Sequence, residues 1–503
     1  MGIMESTASM KAWLPGHNNH KYESLPAHSP TAPTLPANHR GFWRRNKGCI
    51  TLAGITALVL VGVHAGTIYR HVSRGRHEME DVSRLWGQYS PFYPVPSEID
   101  PAIPAQCDVT FAQVLSRHGS RDPTAGKSEA YLELVGRIQD VVEDYGKGYE
   151  FIRDYEYTLG HDQLTAYGER EMVESGAAFY RRYRALAAIS EPFVRASGQR
   201  RVEVSGRNWT QGFYAARARD GLEAPDDVED EMLIIPERRG ANNTLSHGLC
   251  PAFESGPLAR LGESAKLAWQ DVFMPPIAAR VNAALPGANL TEHETVYFMD
   301  LCPYETVADA QLRPSAFCSL FTRDEWASYD YYQTVAKYYG FNAGHPLAAT
   351  QGVGWVNELV ARLTDTAVED DTTTNRTLDS DGATFPLGRG MYADFSHDND
   401  MLTIYAALGL YDGAAPLPRT RRQTAEASGG FSAGWLVPFG GRMYVEKMRC
   451  EGHDEEMVRV VVNERVVPLE ACGSDALGRC GLGAFVEGLE FARKGGKWDQ
   501  CFA

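Results

Sequence analysis

The 503-residue sequence has no excess of positive charge, no Cys-x-x-Cys pair and no internal repeat. Its formal net charge of −16 argues against a nucleic-acid surface, which needs a basic footprint. A local cluster of arginines can still outweigh a distant acidic surface and hold an anionic substrate. An acidic workplace suits such a chain, because protonated carboxylates relieve the repulsion. Nine cysteines without zinc-ribbon spacing argue against a metal site. Long apolar runs are scarce: the one that stands out is Gly48 to Tyr69, 22 residues broken only by His64.

Residues 1–47 are polar and Pro/Ser-rich and read as a disordered cytoplasmic tail. The 48–69 run is long enough to cross a hydrocarbon core as a helix. Arg40, Arg44, Arg45 and Lys47 precede it and Arg70, Arg74 and Arg76 follow it, so charge bias alone decides little. Eight cysteines and the sequons at Asn208, Asn242, Asn289 and Asn375 all follow the run. Together they predict a single-pass signal anchor with an extracellular or luminal domain rich in disulfides. Cleavage after Val63-His-Ala65 would give a secreted form instead. Residues 70–106 read as a linker and N-terminal extension, and 107–503 as the main domain.

From residue 107 onward strand-like and helix-like runs alternate, which predicts an α/β fold. Val109–Leu115, Phe193–Ala196, Met391–Phe395, Arg442–Met448, Val458–Val462 and Arg465–Leu469 read as strands. Leu164–Tyr183 reads as a helix, and Thr322-Arg-Asp-Glu325 opens another with a capping box. The segments 366–384 and 412–430 read as polar surface loops.

Chemistry concentrates where strands end. Leu115-Ser-Arg-His-Gly-Ser-Arg-Asp-Pro-Thr124 places Arg117, His118 and Arg121 just after a hydrophobic strand. Ligands of open α/β sheets bind at the carboxyl ends of strands. Guanidinium forks match phosphate oxygens, and an imidazole among them can attack phosphorus. Tyr392-Ala-Asp-Phe-Ser-His-Asp-Asn399 ends a second strand in His397 and Asp398, a donor and an acid, or a helix cap. Phe193-Val-Arg-Ala-Ser-Gly-Gln-Arg-Arg-Val202 offers Arg195, Arg200 and Arg201 at a third.

Arg-His-Gly-x-Arg-x-Pro near the start and His-Asp near the end resemble the signature of the histidine acid phosphatases. Gln88-Tyr-Ser-Pro-Phe92, Asn242-Asn-Thr-Leu245, Thr350-Gln-Gly-Val-Gly354, Asp475-Ala-Leu-Gly-Arg-Cys480 and Cys501-Phe-Ala503 resemble the fungal phytases of that family. The likeness runs over roughly residues 85–503. It implies a large α/β domain with a mixed central sheet flanked by helices, plus a smaller, mainly α-helical domain inserted before about residue 345. It implies His118 as nucleophile, Asp398 as proton donor, and Arg117, Arg121, Arg201 and His397 as the phosphate clamp. Gln88, Tyr89, Lys147, Arg153, Lys337 and Asn399 are implied substrate contacts. The implied disulfides are Cys107–Cys450, Cys250–Cys501, Cys302–Cys318 and Cys472–Cys480.

The implied activity is acid hydrolysis of phosphate monoesters, inositol phosphates among them, by a monomer without a metal or other cofactor, since arginines supply the positive charge. A broad acid phosphatase, an anchored phosphate-binding pseudoenzyme and a mutase-like transferase are the rival readings. The chain departs from the fungal pattern at Asp122, where Tyr is usual, and at Asp400, where Gly is usual. Both add negative charge near the site. A lysine pair of the family is Ala336-Lys337 here, and an upstream lysine falls at Gly148, beside Lys147.

Overall fold

The computed structural model describes residues 82–222 and 232–503. Its centre is an eight-stranded mixed sheet. β1 (Cys107–Arg117), β2 (Phe193–Gly198), β3 (Leu233–Pro236) and β4 (Met391–Ser396) form a parallel half in the order β3-β2-β4-β1. β5 (Arg442–Cys450), β6 (Met457–Val462), β7 (Arg465–Val467) and β8 (Arg479–Gly481) continue it antiparallel from β1. β1 is buried continuously from Phe111 to Arg117. That continuous burial reflects helices on both faces, where an open sheet would alternate.

The long helices are α1 (Ala125–Val141), α2 (Ala166–Arg182), α3 (Arg200–Arg219), α4 (Leu261–Ala284), α5 (Glu292–Ala308), α6 (Arg323–Phe341), α7 (Val353–Thr364) and α8 (Asp398–Ala407). On one face α2 and α3 set Phe179 and Trp209 against Tyr444 and Phe395 of the sheet. On the other, Phe111, Leu115 and Tyr392 join a larger core with Trp355 of α7 and Met401 of α8. That core runs on into α1, α4, α5 and α6 through Trp269, Met299 and Trp326. Each fully buried aromatic or aliphatic side chain stabilises the fold by about 1.5–3 kcal/mol. The capping box expected at Thr322 is formed with Glu325, and a second one joins Thr291 to Glu294 at the start of α5.

All four implied disulfides are present. Cys107–Cys450 joins directly opposed residues of β1 and β5. The 343-residue separation makes it a strong restraint on the unfolded chain. Four such bonds require an oxidising compartment.

Two expectations change. The single-pass membrane protein is not upheld: among the described residues no helix is long and apolar enough to cross a membrane. The segment 48–69 and the tail 1–47 lie outside the described residues. The stretch 366–384 is not simply a surface loop, because Asp370 accepts hydrogen bonds from Thr372 and Thr374 and draws both into the interior. Of the stretch read as linker and N-terminal extension, Trp86, Tyr89, Tyr93 and Val95 are buried.

Candidate active site

Three parallel strands deliver the site. β1 ends at Arg117 and hands on to His118, β4 ends at Ser396 and hands on to His397, and β2 ends at Gly198, three residues before Arg201. Adjacent parallel strands have their carboxyl ends on one edge, so segments far apart in sequence converge there. The His118 and His397 rings stand 5.7 Å apart, centroid to centroid.

The loop after β1 is held from beneath. Oε2 of buried Glu171, on α2, accepts from the backbone N–H (2.8 Å) and hydroxyl (3.0 Å) of Ser120, and Oε1 accepts from Phe92 N–H. The Ser205 hydroxyl accepts from Gly119 N–H. A Cβ at Gly119 would lie 2.5 Å from the Gly168 carbonyl oxygen, so only glycine lets the loop sit against α2.

His118 is 1 % exposed, and its Nδ1 lies 2.8 Å from the Gly119 carbonyl oxygen. A carbonyl only accepts, so Nδ1 carries the proton and Nε2 keeps its lone pair. Burial, reinforced by Arg117, Arg201, Arg121 and His397, holds the imidazole pKa well below its ordinary value. The neutral form is therefore favoured more in His118 than in a free histidine.

Arg117 donates to the Gln88 and Val437 carbonyls and lies over the Phe439 ring. Arg121 donates to the Asp122 carbonyl, and Arg201 has Asp162 at 3.8 Å. The Nε–H groups of all three are buried without an acceptor among the described residues. Burial, with Arg121 adding to it, lowers the Arg201 pKa to about 10, so the group stays charged at any acid or neutral pH. Arg195 sits elsewhere: it is buried between Asp394 and Glu358 inside the sheet. His397 Nε2 meets Glu237 Oε1 at 2.8 Å.

Asp398 Oδ2 accepts from Lys337 Nζ at 2.7 Å and faces Arg117 at 3.5 Å. Burial pushes its pKa up, but Arg117 and Lys337 outweigh burial and hold the carboxyl well below the usual range. The Asn399 side-chain oxygen accepts from the same ammonium at 2.6 Å. The two departures that add charge are both occupied by local partners. The Asp122 carboxylate accepts from the Gly160 backbone, and Asp400 Oδ1 accepts from His247 N–H at 2.6 Å.

Beside this cluster opens a cavity of about 530 Å3. Gln88, Tyr89 and Lys337 line it, as expected. Lys147 and Arg153 do not: both are exposed, and Arg153 stacks on Tyr145. Lys127 takes the place expected of them, with its ammonium 2.6 Å from Asp300 and 3.4 Å from the Tyr89 hydroxyl. It was legible as the lysine six residues after Arg121, in the first turn of the helix that leaves the arginine loop. Lys266, His293 and His247 also line the cavity, and no local motif marks them.

The turn that brings in Gln88 and Tyr89 starts at Gly87, whose φ of +59° favours glycine. Beneath it Asp330 accepts from Gly87 N–H, yet burial pushes its pKa up to about 7. A raised carboxyl pKa means the folded state binds the extra proton, so stability falls as pH rises from about 4 to 7. Asp330→Asn is expected to stabilise the protein at pH 8 by on the order of 2–4 kcal/mol and to change nothing at pH 4. Thermal melts at the two pH values check this.

The sequons differ in presentation. Asn289 is exposed and Asn242 is exposed beside Thr374, while Asn375 caps a short helix. Asn208 lies within α3 with its amide nitrogen buried, which leaves no room there for a glycan.

The histidine phosphatase superfamily (branch 2) matches residues 108–463. The chain belongs to that family. It is 47% identical over 437 residues to Phytase A of Aspergillus oryzae, covering 86% of this chain and 93% of the relative. It is 48% identical to Phytase A of Aspergillus fumigatus, covering 84% and 91%. Among solved structures it shares the fold of the D. castellii phytase, with a TM-score of 0.68, 22% identity, and 84% and 87% of the two chains covered. It also shares the fold of a Bifidobacterium longum multiple inositol polyphosphate phosphatase solved with inositol hexasulfate. That match has a TM-score of 0.57 and 14% identity, over 81% of this chain and 97% of the other.

Proposed function

We propose that the protein is a phosphomonoesterase that hydrolyses inositol hexakisphosphate through a phosphohistidine on His118. The observation that carries this is a buried imidazole whose Nδ1 faces the Gly119 carbonyl, leaving Nε2 for attack, among the guanidinium groups of Arg117, Arg121 and Arg201. The relatives' name, Phytase A, supports the choice of substrate, as does a cavity lined by Lys127, Lys266 and Lys337.

In this reading Arg117, Arg121 and Arg201, with His397, grip the phosphoryl oxygens and offset their charge. His118 Nε2 attacks phosphorus in line and the P–O bond to the inositol breaks. The departing oxygen takes a proton from Asp398. The carboxylate left behind activates a water, which cleaves the P–N bond and releases inorganic phosphate. The depressed pKa of Asp398, set by Arg117 and Lys337, is consistent with this role. A bound phosphate dianion offsets Arg117 and Lys337, so the carboxyl pKa rises when the substrate is present.

The test compares hydrolysis of inositol hexakisphosphate and p-nitrophenyl phosphate by residues 82–503 across pH 2–8, with rapid-quench capture of 32P. Acid-labile, base-stable label on His118 is expected, and active enzyme without it would sink the reading. In the first turnover, before the phosphohistidine must be hydrolysed, Asp398→Asn is expected to slow release of the inositol leaving group about 100- to 1000-fold and release of p-nitrophenolate by less than about 10-fold. Equal slowing of both contradicts the acid role.

A further inference from the structure

We propose that His247 is a substrate-contacting, specificity-determining residue: its imidazolium Nε2–H binds a phosphate group of a polyphosphorylated substrate other than the one transferred. The proposal rests on the phosphatase reading above. His247 lies on the wall of the 530 Å3 cavity and outside every motif described so far.

Two carboxylates of different elements face it. Glu254 Oε1, from the short helix Pro251–Glu254, is 2.6 Å from Nδ1. Asp400, in the first turn of α8, takes the His247 backbone N–H at 2.6 Å and stands 3.9 Å from Nε2. A carboxylate accepts, so Nδ1 carries a proton, and 3.9 Å is beyond hydrogen-bond reach. Nε2 thus has no hydrogen-bond partner within reach among the described residues, and the side chain, 20% exposed, lines the cavity. The ring is fixed edge-on to Phe253 at 5.4 Å and tilted on Phe341 at 5.6 Å, so little freedom is lost on binding.

The charge balance supports a cation. Burial alone would lower the His247 pKa, but Asp400 and Glu254 raise it to about 9 against the opposing charge of Lys337. Lys337 is engaged by Asp398 and Asn399. His247 therefore adds a second positive donor at this end of the cavity, where position 336 carries alanine. Asp400, two residues from Asp398, stands as a counter-ion to the imidazolium, against the burial that raises its own carboxyl pKa.

A merely structural histidine would tie the 246–254 segment to α8 and leave ligands indifferent. Calorimetry with myo-inositol hexasulfate and with inorganic sulfate separates the two. His247→Gln keeps a donor toward Glu254 but removes the charge. The Kd for hexasulfate is expected to rise about 10-fold, that for sulfate by less than about 2-fold, and His247→Lys to recover most of the difference. Unchanged hexasulfate affinity in His247→Gln overturns the proposal, as does equal weakening of both anions. If His247→Gln does not fold, 15N histidine NMR of the wild type decides. The His247 Nε2 resonance must move with hexasulfate and not with sulfate; a resonance indifferent to both overturns the proposal. Binding is read without turnover. A wild type that binds hexasulfate yet leaves inositol hexakisphosphate intact would defeat the proposed function and spare this inference.

Discussion

Replacing His118 with alanine is expected to lower turnover of every phosphate ester by at least about 10 000-fold while the protein still folds and binds anions. The size follows from the role: without Nε2 no covalent intermediate forms, and only the charge of the arginine ring is left to assist direct attack by water. Folding survives because the structural bonds of this residue are main-chain ones. His118 N–H donates to the Ser396 carbonyl, and its own carbonyl accepts from Gly440 N–H. Neither needs the imidazole. The Glu171 brace on Ser120 holds the loop independently of it. Turnover of p-nitrophenyl phosphate, circular dichroism and the sulfate Kd of His118→Ala together check this. Residual activity above about a tenth of wild type would mean that water, not histidine, attacks phosphorus.

Much of this site was legible before any coordinates, for one physical reason. A strand buried on both faces is mostly apolar, with any polar side chain paired inside, and where it stops a run of polar residues has to serve some other end. Val109–Leu115 into Arg117, His118 and Arg121 has that form, and so does Met391–Phe395 into His397 and Asp398. The cavity wall was less legible because helices α1, α4, α5 and α6 place single residues on it from distant turns. Lys127, Lys266 and His293 share a surface with no shared sequence spacing. Lys147 and Arg153 show the converse, since neighbourhood in sequence to a basic position says nothing about which way a helix end points. Asp122 and Asp400 looked like charges aimed at the substrate, and only their hydrogen-bond partners, Gly160 and His247, show that neither is free. Arg195, which the segment 193–202 offers beside Arg200 and Arg201, stays out of the phosphate cradle. The structure supplies the cause, an ion-pair network that leaves it no reach.

That network sets the second large expected effect. Asp394, fully buried in the middle of β4, accepts from Arg195 Nε and Nη2 at 2.9 Å each, Arg362 Nη1 at 3.0 Å, Trp355 Nε1 at 2.9 Å and Gln113 Nε2 at 3.0 Å. Burial alone would raise its pKa, but Arg195 and Arg362 overcome that and keep it ionised at any working pH. Glu358 Oε2 also accepts from Arg195 Nη2, at 2.6 Å, and supplies the second negative charge of the network. Asp394→Asn keeps the shape but leaves two buried guanidinium groups with one carboxylate, and its amide N–H groups meet donors. Removing one partner of a buried ion pair costs about 3–5 kcal/mol, a large part of the stability of most domains. Gln113→Leu, which removes one neutral donor from the same carboxylate, is expected to cost only about 1 kcal/mol. Urea midpoints followed by tryptophan fluorescence compare the two. The Asn variant should also lose phosphatase activity as it loosens, because β4 lies between β1 and β2 and carries His397 and Asp398 at its end. An Asp394→Asn protein as stable as Gln113→Leu would mean that the buried charges are not what registers the three catalytic strand ends against one another.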